Sequence, residues 1–450
     1  MQRTFVFLAC ISTLFLAGCT SESALPNPTG KGAVRAIHAI PGATDVVFKI
    51  EERTLGNLAY TQVSSSADYD DFEYNFNFDI FLPEERDPTR IASVTQKIDA
   101  DREYIFAVTG SVDNPTVTTW ITDQRQWDDT ETVFEARFAH LSASLADVDV
   151  YFDDPANPPS PDNLVATLSP GNIADIADFA EGQYVITVTV AGDPNRVPVY
   201  TSPQLTYGAR SSHVISIFDG NENDTAPYVA GTSTTGGLSI RLPDATFPPS
   251  IRFVHGALTL DTVDVYNDEL LTSQVTSGVA FGASTADFTT SSDATTYYFT
   301  PAGSTATTLF SSAVANPPAG RTGDMILIGD TDDWQGLYVS LNRASLSTSA
   351  KISLLNGSVN HRSFDMYIKE RDEPLTEDDL PSFVRILFSL STPQLQRLAG
   401  GYDIYLTEPG TKNELAGPYP VDVVLGDVVF LLAVDNVDPS IIDIVDMSIP

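Results

Sequence analysis

Cysteine is nearly missing from this 450-residue chain: there are two, Cys10 and Cys19, both close to the start. The remainder therefore has no disulfide, no thiolate metal site and no cysteine nucleophile, and its domains must be held by packing alone. Basic residues are also scarce. Twenty-four Lys and Arg face 60 Asp and Glu, for a formal net charge of -36. The acids are spread along the chain instead of gathering in one tail. A field of that sign repels phosphate backbones and anionic headgroups, which argues against a nucleic-acid partner. It suits a soluble, self-repelling surface or one that collects divalent cations. After the opening segment no run approaches the ~20 apolar residues that span a bilayer. Gly-x-Ser-x-Gly, His-Glu-x-x-His and a phosphate-binding glycine loop are all lacking. So many carboxylates guarantee that some pair lies close by chance, so no acid pair can be singled out for glycoside chemistry. Nothing here points to an enzyme.

What the chain has is one sentence written four times. Residues 34–49, 136–151, 251–266 and 352–367 align without a gap, and their fifth positions are His38, His140, His255 and Asn356. The steps are 102, 115 and 101 residues. A period near 100 is too long for a solenoid unit and fits a whole small domain. The hydrophobic fraction of 42% is ample for several cores. We therefore expect four domains in tandem, at residues 34–134, 135–248, 249–350 and 351–450.

The first residues read as an export signal. Arg3 supplies a positive start, residues 5–16 are mostly apolar, and Ala17 and Gly18 are small. Leu-Ala-Gly-Cys at residues 16–19 resembles the bacterial lipoprotein box, in which the cysteine is acylated and becomes the first mature residue. That resemblance implies a signal peptide at residues 1–18 and a lipid, palmitate included, on Cys19. Thr20 is unlike the Asp that commonly retains such proteins at the inner membrane, which favours the outer membrane of the cell envelope. Residues 19–33, rich in Ser, Pro, Thr and Gly, read as a flexible tether.

Within each repeat the pattern is that of strands, with period-two alternation broken by Gly, Pro, Asn and Asp. Ala136, Phe138 and His140 share one face of an opening strand, and Arg137 points the other way. A second strand carries Val-Asp-Val-Tyr at residues 148–151 or 263–266. A middle strand follows at residues 182–189, 296–300 and 401–406, matched in the first repeat by residues 74–80. Each repeat closes with a hairpin, for example residues 104–108 turning through 113–115 to 118–121. The fold class is all-β: four tandem small antiparallel β-sandwich domains, Ig-like in architecture, after a lipoprotein signal peptide. Residues 172–179 and 377–397 are the best candidates for short helices, the latter interrupted by Pro381 and Pro393.

Arg-x-x-His, a short loop and then Val-Asp-Val-Tyr is similar to the bacterial domain-of-unknown-function family 4397, whose members are often exported and tandem. The second and third repeats carry the resemblance best, through Arg137, His140, Asp149 and Tyr151, and through Arg252, His255, Asp264 and Tyr266. The first keeps Arg35 and His38 but has Val47 and Lys49 where Asp and Tyr are expected. The fourth keeps Asp365 and Tyr367 but has Ser353 and Asn356 for Arg and His. The resemblance implies a fold class and an envelope setting and brings no catalytic residues.

Several residues invite a chemical reading. A histidine in three of four repeats would suit a metal ligand or general base. Yet it is in phase with an apolar face, and no second His or nucleophile recurs at a fixed offset. A structural side chain that hydrogen-bonds a neighbouring loop or the Asp of the Asp-Val-Tyr strand, a role Asn356 can also fill, is the stronger reading. Arg137 with Asp149, and Arg252 with Asp264, are expected to form interstrand ion pairs worth ~0.5 kcal/mol if exposed. In the hairpin at residues 219–224, Asp219, Asn221 and Asn223 set oxygens at alternate positions as a calcium loop does. Asp224 then stands where that loop has Gly, and Ala230 where it has Glu. Asp330 and Asp332 cluster similarly, so these five are the candidates for weak calcium binding, with ordinary turn chemistry as the alternative. The aromatics at residues 69–78 read as a loop entering a core strand, with a carbohydrate-facing platform as the alternative. The chain is thus expected to be a membrane-anchored interaction, adhesion or spacer module shaped as an extended rod, with a protein or glycan partner at the cell surface. A small-ligand or glycan-binding lipoprotein is the alternative.

Overall fold

The computed structural model describes residues 27–448 apart from Gly236, Leu238 and Asp332. The signal peptide, Cys19 and the first part of the tether lie outside the described residues. In the first repeat the alternating pattern builds eight strands: β1 Lys31–His38, β2 Val46–Ile50, β3 Arg53–Leu58, β4 Ala67–Asp70, β5 Glu73–Ile80, β6 Thr89–Lys97, β7 Arg102–Gly110 and β8 Pro115–Asp123. They form two four-stranded sheets, ordered β4-β1-β7-β8 and β3-β2-β5-β6. β1 starts at Lys31, and Thr29 and Gly30 hydrogen-bond Asp71, so the ordered chain reaches into the expected tether. Both strand orders return in the other three repeats, where the second repeat adds a fifth strand to each sheet: Ser239–Leu242 at one edge, and Leu205–Tyr207, which pairs with Gly182–Val190 beside Pro198–Thr201.

The sandwich is all-β and rich in antiparallel pairs, with one parallel pair in each repeat. β1 runs alongside β7, Val34 beside Tyr104, and the equivalents of β1 do the same at Val133–His140, Ser250–His255 and Ala350–Asn356. The two sheets of each repeat close over an apolar core. In the first it is built from Val34, Ala36, Phe48, Phe76, Phe78, Tyr104 and Phe106. Phe76 lies 4.5 Å from Phe106, centroid to centroid, so the aromatic run at residues 69–78 feeds this core. Tyr69 sits in the edge strand β4 and meets Tyr74 edge-on.

Neither expected helix forms. Residues 172–179 contribute an isolated bridge from Ile173 to Ala139 and the strand Ala177–Ala180. Residues 377–397 hold the strands Phe383–Leu387 and Leu395–Arg397. Each segment edges a sheet, where a backbone partner supplies the hydrogen bonds an isolated helical turn must supply for itself.

The β1 sheet has two buried faces. Of the eight residues of β1 only Lys31 is exposed, and every residue of Ala350–Asn356 is buried. One face meets the repeat's own second sheet and the other meets a neighbouring repeat. Ile37, Ala39, Ile105, Ala107 and Trp120 of the first repeat pack on Ala139, Leu141, Val214, Phe218 and Val229 of the second. Val254, Ile326 and Ile328 of the third repeat pack on Leu355, Phe430, Leu432 and Val434 of the fourth. Burying a large apolar side chain fully is worth about 1.5–3 kcal/mol, so these interfaces are cores in their own right. The repeats are therefore paired face to face.

The two pairs also touch, through polar groups. Ser347 N–H donates to the Gly42 carbonyl at 2.7 Å, the Gln396 amide to Thr44 Oγ1 at 3.3 Å, and Arg343 N–H to Asn223 Oδ1 at 2.6 Å. First and fourth repeats are neighbours, so the expected extended rod is not what the chain builds. Within each pair the sandwiches turn face to face because their second apolar face must be covered.

Phe218→Ala opens a cavity between the first two repeats and should cost about 3–5 kcal/mol. Hydrogen exchange should show peptides of both repeats losing protection together, while the third and fourth keep theirs.

Candidate functional site

Each motif histidine closes the loop that follows β1. Nδ1 of His255 accepts from the Ala257 N–H at 3.3 Å, and Nε2 meets the Asp261 carbonyl at 3.1 Å. Nε2 of His140 meets the Ala146 carbonyl at 2.9 Å, again six residues on. His38 accepts from the Ile40 N–H at 3.3 Å and faces the Thr44 carbonyl without closing a hydrogen bond to it. Asn356 reproduces both contacts, accepting from the Ser358 N–H at 3.0 Å and donating to the His361 carbonyl at 3.2 Å. All four side chains belong to residues with no exposed surface. Burial pushes His38 down to about 4 and lowers His255 as well.

The expected ion pairs do not form. Arg137 and Asp149 lie on different sheets of their sandwich, as do Arg252 and Asp264. Alternation shows which way a side chain points but not which layer its strand joins. The arginines project into the interface between repeats. Arg35 has no exposed surface; it pairs with Glu103 at 3.2 Å and also donates to Ser233 of the second repeat. Arg252 pairs with Asp324 at 2.8 Å and donates to the Ser448 carbonyl of the fourth repeat at 3.2 Å. Arg137 stays within its own repeat, donating to the Ala174 carbonyl at 3.2 Å. The residue in place of the arginine in the fourth repeat, Ser353, donates to the Val429 carbonyl at 3.5 Å.

The motif aspartates are staples on the other sheet. Asp264 accepts from Gly278 N–H at 2.7 Å and Gly303 N–H at 2.8 Å, and Asp365 from Arg385 N–H at 2.6 Å and Gly410 N–H at 2.8 Å. Asp149 accepts from Thr167 Oγ1 at 2.5 Å and Gly192 N–H at 2.9 Å. Each carboxylate thus fixes a left-handed glycine, with φ of 73°, 74° and 72° at Gly192, Gly303 and Gly410. Tyr151, Tyr266 and Tyr367 lie nearly buried beside them, and Lys412 stands over the Tyr367 ring at 4.2 Å. The first repeat, with Val47 in the aspartate's place, puts its carboxylate on the facing strand: Asp79 lies opposite Val47 and pairs with Lys49 at 2.7 Å and Arg90 at 2.9 Å.

The calcium candidates are committed elsewhere. Asp219 accepts from the Ala143 N–H at 2.9 Å and from the hydroxyls of Ser142 and Ser144. Asn221 Oδ1 accepts from the Asn223 N–H, and Asn223 bonds Asn342 and Arg343 of the third repeat. Asp330 caps its own turn at Thr331. Asp332 lies outside the described residues. The hairpin at residues 219–224 is a joint between repeats, and its side-chain oxygens are spent on protein donors. Among the described residues no group of three or more His, Cys, Asp or Glu is placed to hold a metal ion.

Where the two pairs meet, a cavity of about 560 Å³ draws its walls from all four repeats. Thr44, Asp45, Tyr60 and Gln62 come from the first, Asn221, Ser239 and Arg241 from the second, Arg321 and Asn342 from the third, and Lys351, Gln394 and Gln396 from the fourth. Beneath it the fully buried Asp224 carboxylate holds two arginines, Arg321 at 3.0 Å and Arg241. Tyr60 donates to the Asp219 carbonyl at 3.0 Å and leans edge-on against Phe218, tying the wall to the interface core. Lys351 is 4% exposed, and its Nζ donates to the Asn342 carbonyl at 2.6 Å. Desolvation pushes this amine down to about 8. The cavity is within the usual size range for ligand sites, and its walls are more polar than apolar: amide, hydroxyl and cationic groups stand beside Ala43, Leu341 and Leu346. No motif marks these residues, because each repeat supplies only a few of them.

The fold defines a class: an all-β protein of tandem two-sheet sandwiches, paired through doubly buried sheets. Within that class, the model of the family described as Domain of unknown function (DUF4397) matches residues 32–151, the whole first repeat and the opening strands of the second, as the Arg-x-x-His motif implied. No curated protein matches the chain. Among solved structures, the Bacillus anthracis TIE protein is similar at 10% identity, covering 91% of this chain and 69% of that one, with a TM-score of 0.15. That score supports no argument about arrangement or role.

His38 stays neutral in the fold but protonates near pH 6.5 when unfolded, so the unfolded chain takes up the proton first. Its contribution is whole above pH 6.5 and declines as pH falls toward 4, by about 3 kcal/mol in all. Urea titrations across that window should show the decline, and His38→Asn, which copies the side chain at Asn356, should fold and make it shallower, the part due to the lowered His213 and His255 remaining.

Proposed function

We propose that this protein is a non-enzymatic binding protein of the bacterial cell envelope, anchored through a lipid on Cys19, whose four repeats together hold one polar, hydroxyl-rich small ligand of glycan type. The observation that carries this reading is the convergence of all four repeats on a single cavity lined by side-chain amides and hydroxyls. Those groups donate and accept in the pattern that sugar hydroxyls require. A spacer has no need of such a cavity, and the doubling back of the repeats shortens the reach a spacer would supply. The net charge of -36 keeps the outer surfaces soluble and apart. The anchor rests on the sequence at residues 16–19 and sets where the ligand is met.

A thermal-shift screen against neutral and acidic oligosaccharides tests the binding role. A ligand at a hundred times its Kd should stabilise the fold by about 2.7 kcal/mol. Ser239→Trp, which fills the cavity, should abolish that shift, and a screen without any shift rejects the reading. Cys19→Ser should move the protein from the membrane pellet to the soluble fraction on cell fractionation; continued pelleting refutes the anchor.

A further inference from the structure

Lys351 is out of keeping with its surroundings. The chain carries 60 carboxylates, yet this lysine is 4% exposed, lines the four-repeat cavity and makes one hydrogen bond from Nζ, to the backbone carbonyl of Asn342. Among the described residues no carboxylate oxygen forms an ion pair with it, and Glu222 is the one charge that acts on it from a distance. The other two cations of the wall are already balanced in part, since Arg241 and Arg321 share the buried Asp224. Buried charge without a counter-ion is costly, and the lowered affinity of this amine for its proton reflects that cost. Two of the three N–H bonds of the ammonium have no acceptor among the described residues.

Resting on the binding role proposed above, we infer that the ligand is a monoanionic saccharide whose carboxylate completes Lys351 while its hydroxyls meet the surrounding amides. A carboxylate suits the site better than a phosphate dianion. The cations Lys351, Arg241 and Arg321 are matched in number by Asp224, Asp45 and Glu222, with Asn57 the hydrogen-bond partner of Asp45. With the wall already near neutral, a doubly charged group would leave a larger uncompensated charge there than a single carboxylate. Gln394 and Gln396 belong to the lysine's own repeat, Gln396 opposite it in register, and both donate from their amides, to Asn342 and Thr44, leaving a carbonyl oxygen on Gln394 to accept a sugar hydroxyl.

The test is calorimetric titration of the full-length protein with the monoanion galacturonate and, separately, with its methyl ester, which keeps every hydroxyl and removes the charge. The acid should bind and the ester should bind at least tenfold more weakly. Lys351→Met should erase that preference and keep or raise the melting temperature, because removing an unpaired buried charge relieves the fold. Lys351→Arg should retain the preference. Equal binding of acid and ester, unchanged in Lys351→Met, overturns the carboxylate inference and leaves the binding role standing. Binding of neither probe overturns both.

Discussion

A β-sheet that is apolar on both faces cannot remain at a surface, and every repeat of this chain has one. The β1 and β7 strands and their equivalents bury one face in their own sandwich, and the other needs a partner of like character. The neighbouring repeat presents that face from the same strands, so two sandwiches become one four-layered body. Pairing, the burial of the motif arginines and the position of the cavity all follow from this covering requirement. It also gives odd and even repeats different tasks. Arg35 and Arg252, in the first and third, reach across to the partner repeat. Asp219 and Asp435, in the second and fourth, instead gather the loop after the first strand through Ser142 and Ser358.

Much of the strand structure was legible in the sequence because alternation is a local signal. The hairpins, the middle strands and the place of the histidine in its loop could all be read from residue order. The layer to which a strand belongs could not. Arg137 and Asp149 sit twelve residues apart and looked like cross-strand partners, but they lie on opposite sheets of one sandwich. A charge in an otherwise apolar strand ordinarily marks the wet side of a sheet seen alone. Here a second repeat covers that side, and the charge finds Glu103, Asp324 or a backbone carbonyl. The helix candidates failed for a related reason: short segments with mixed periodicity are settled by the sheet edge that recruits them. No local pattern can show a cavity assembled from residues up to about 350 positions apart, such as Thr44 and Gln396.

The loop at residues 219–224 shows how the same side chains serve two chemistries. Oxygens spaced along a turn are a good start for a cation site, but they are equally good acceptors for backbone amides. Its Asp, Asn and Asn face N–H and O–H donors from the second and third repeats, and Asp224 faces two guanidinium groups. Protein cations and amides occupy the positions that metal and water would take, and the loop becomes the polar hinge against which the third repeat is set.

The exchange between Val47 and Asp79 bears on how the repeats have parted company. Three repeats carry the carboxylate on the second strand opposite a threonine, Asp149 facing Thr189, Asp264 facing Thr300 and Asp365 facing Thr407. The first carries it on the opposing strand, with two cations gathered about it. Recombination that moved one such strand between repeats would set two carboxylates against each other across a ladder, or leave the place with none. The four copies are alike in backbone, yet in this respect the first is no longer interchangeable with its siblings, and genetic exchange among them is confined to pieces that carry both strands together.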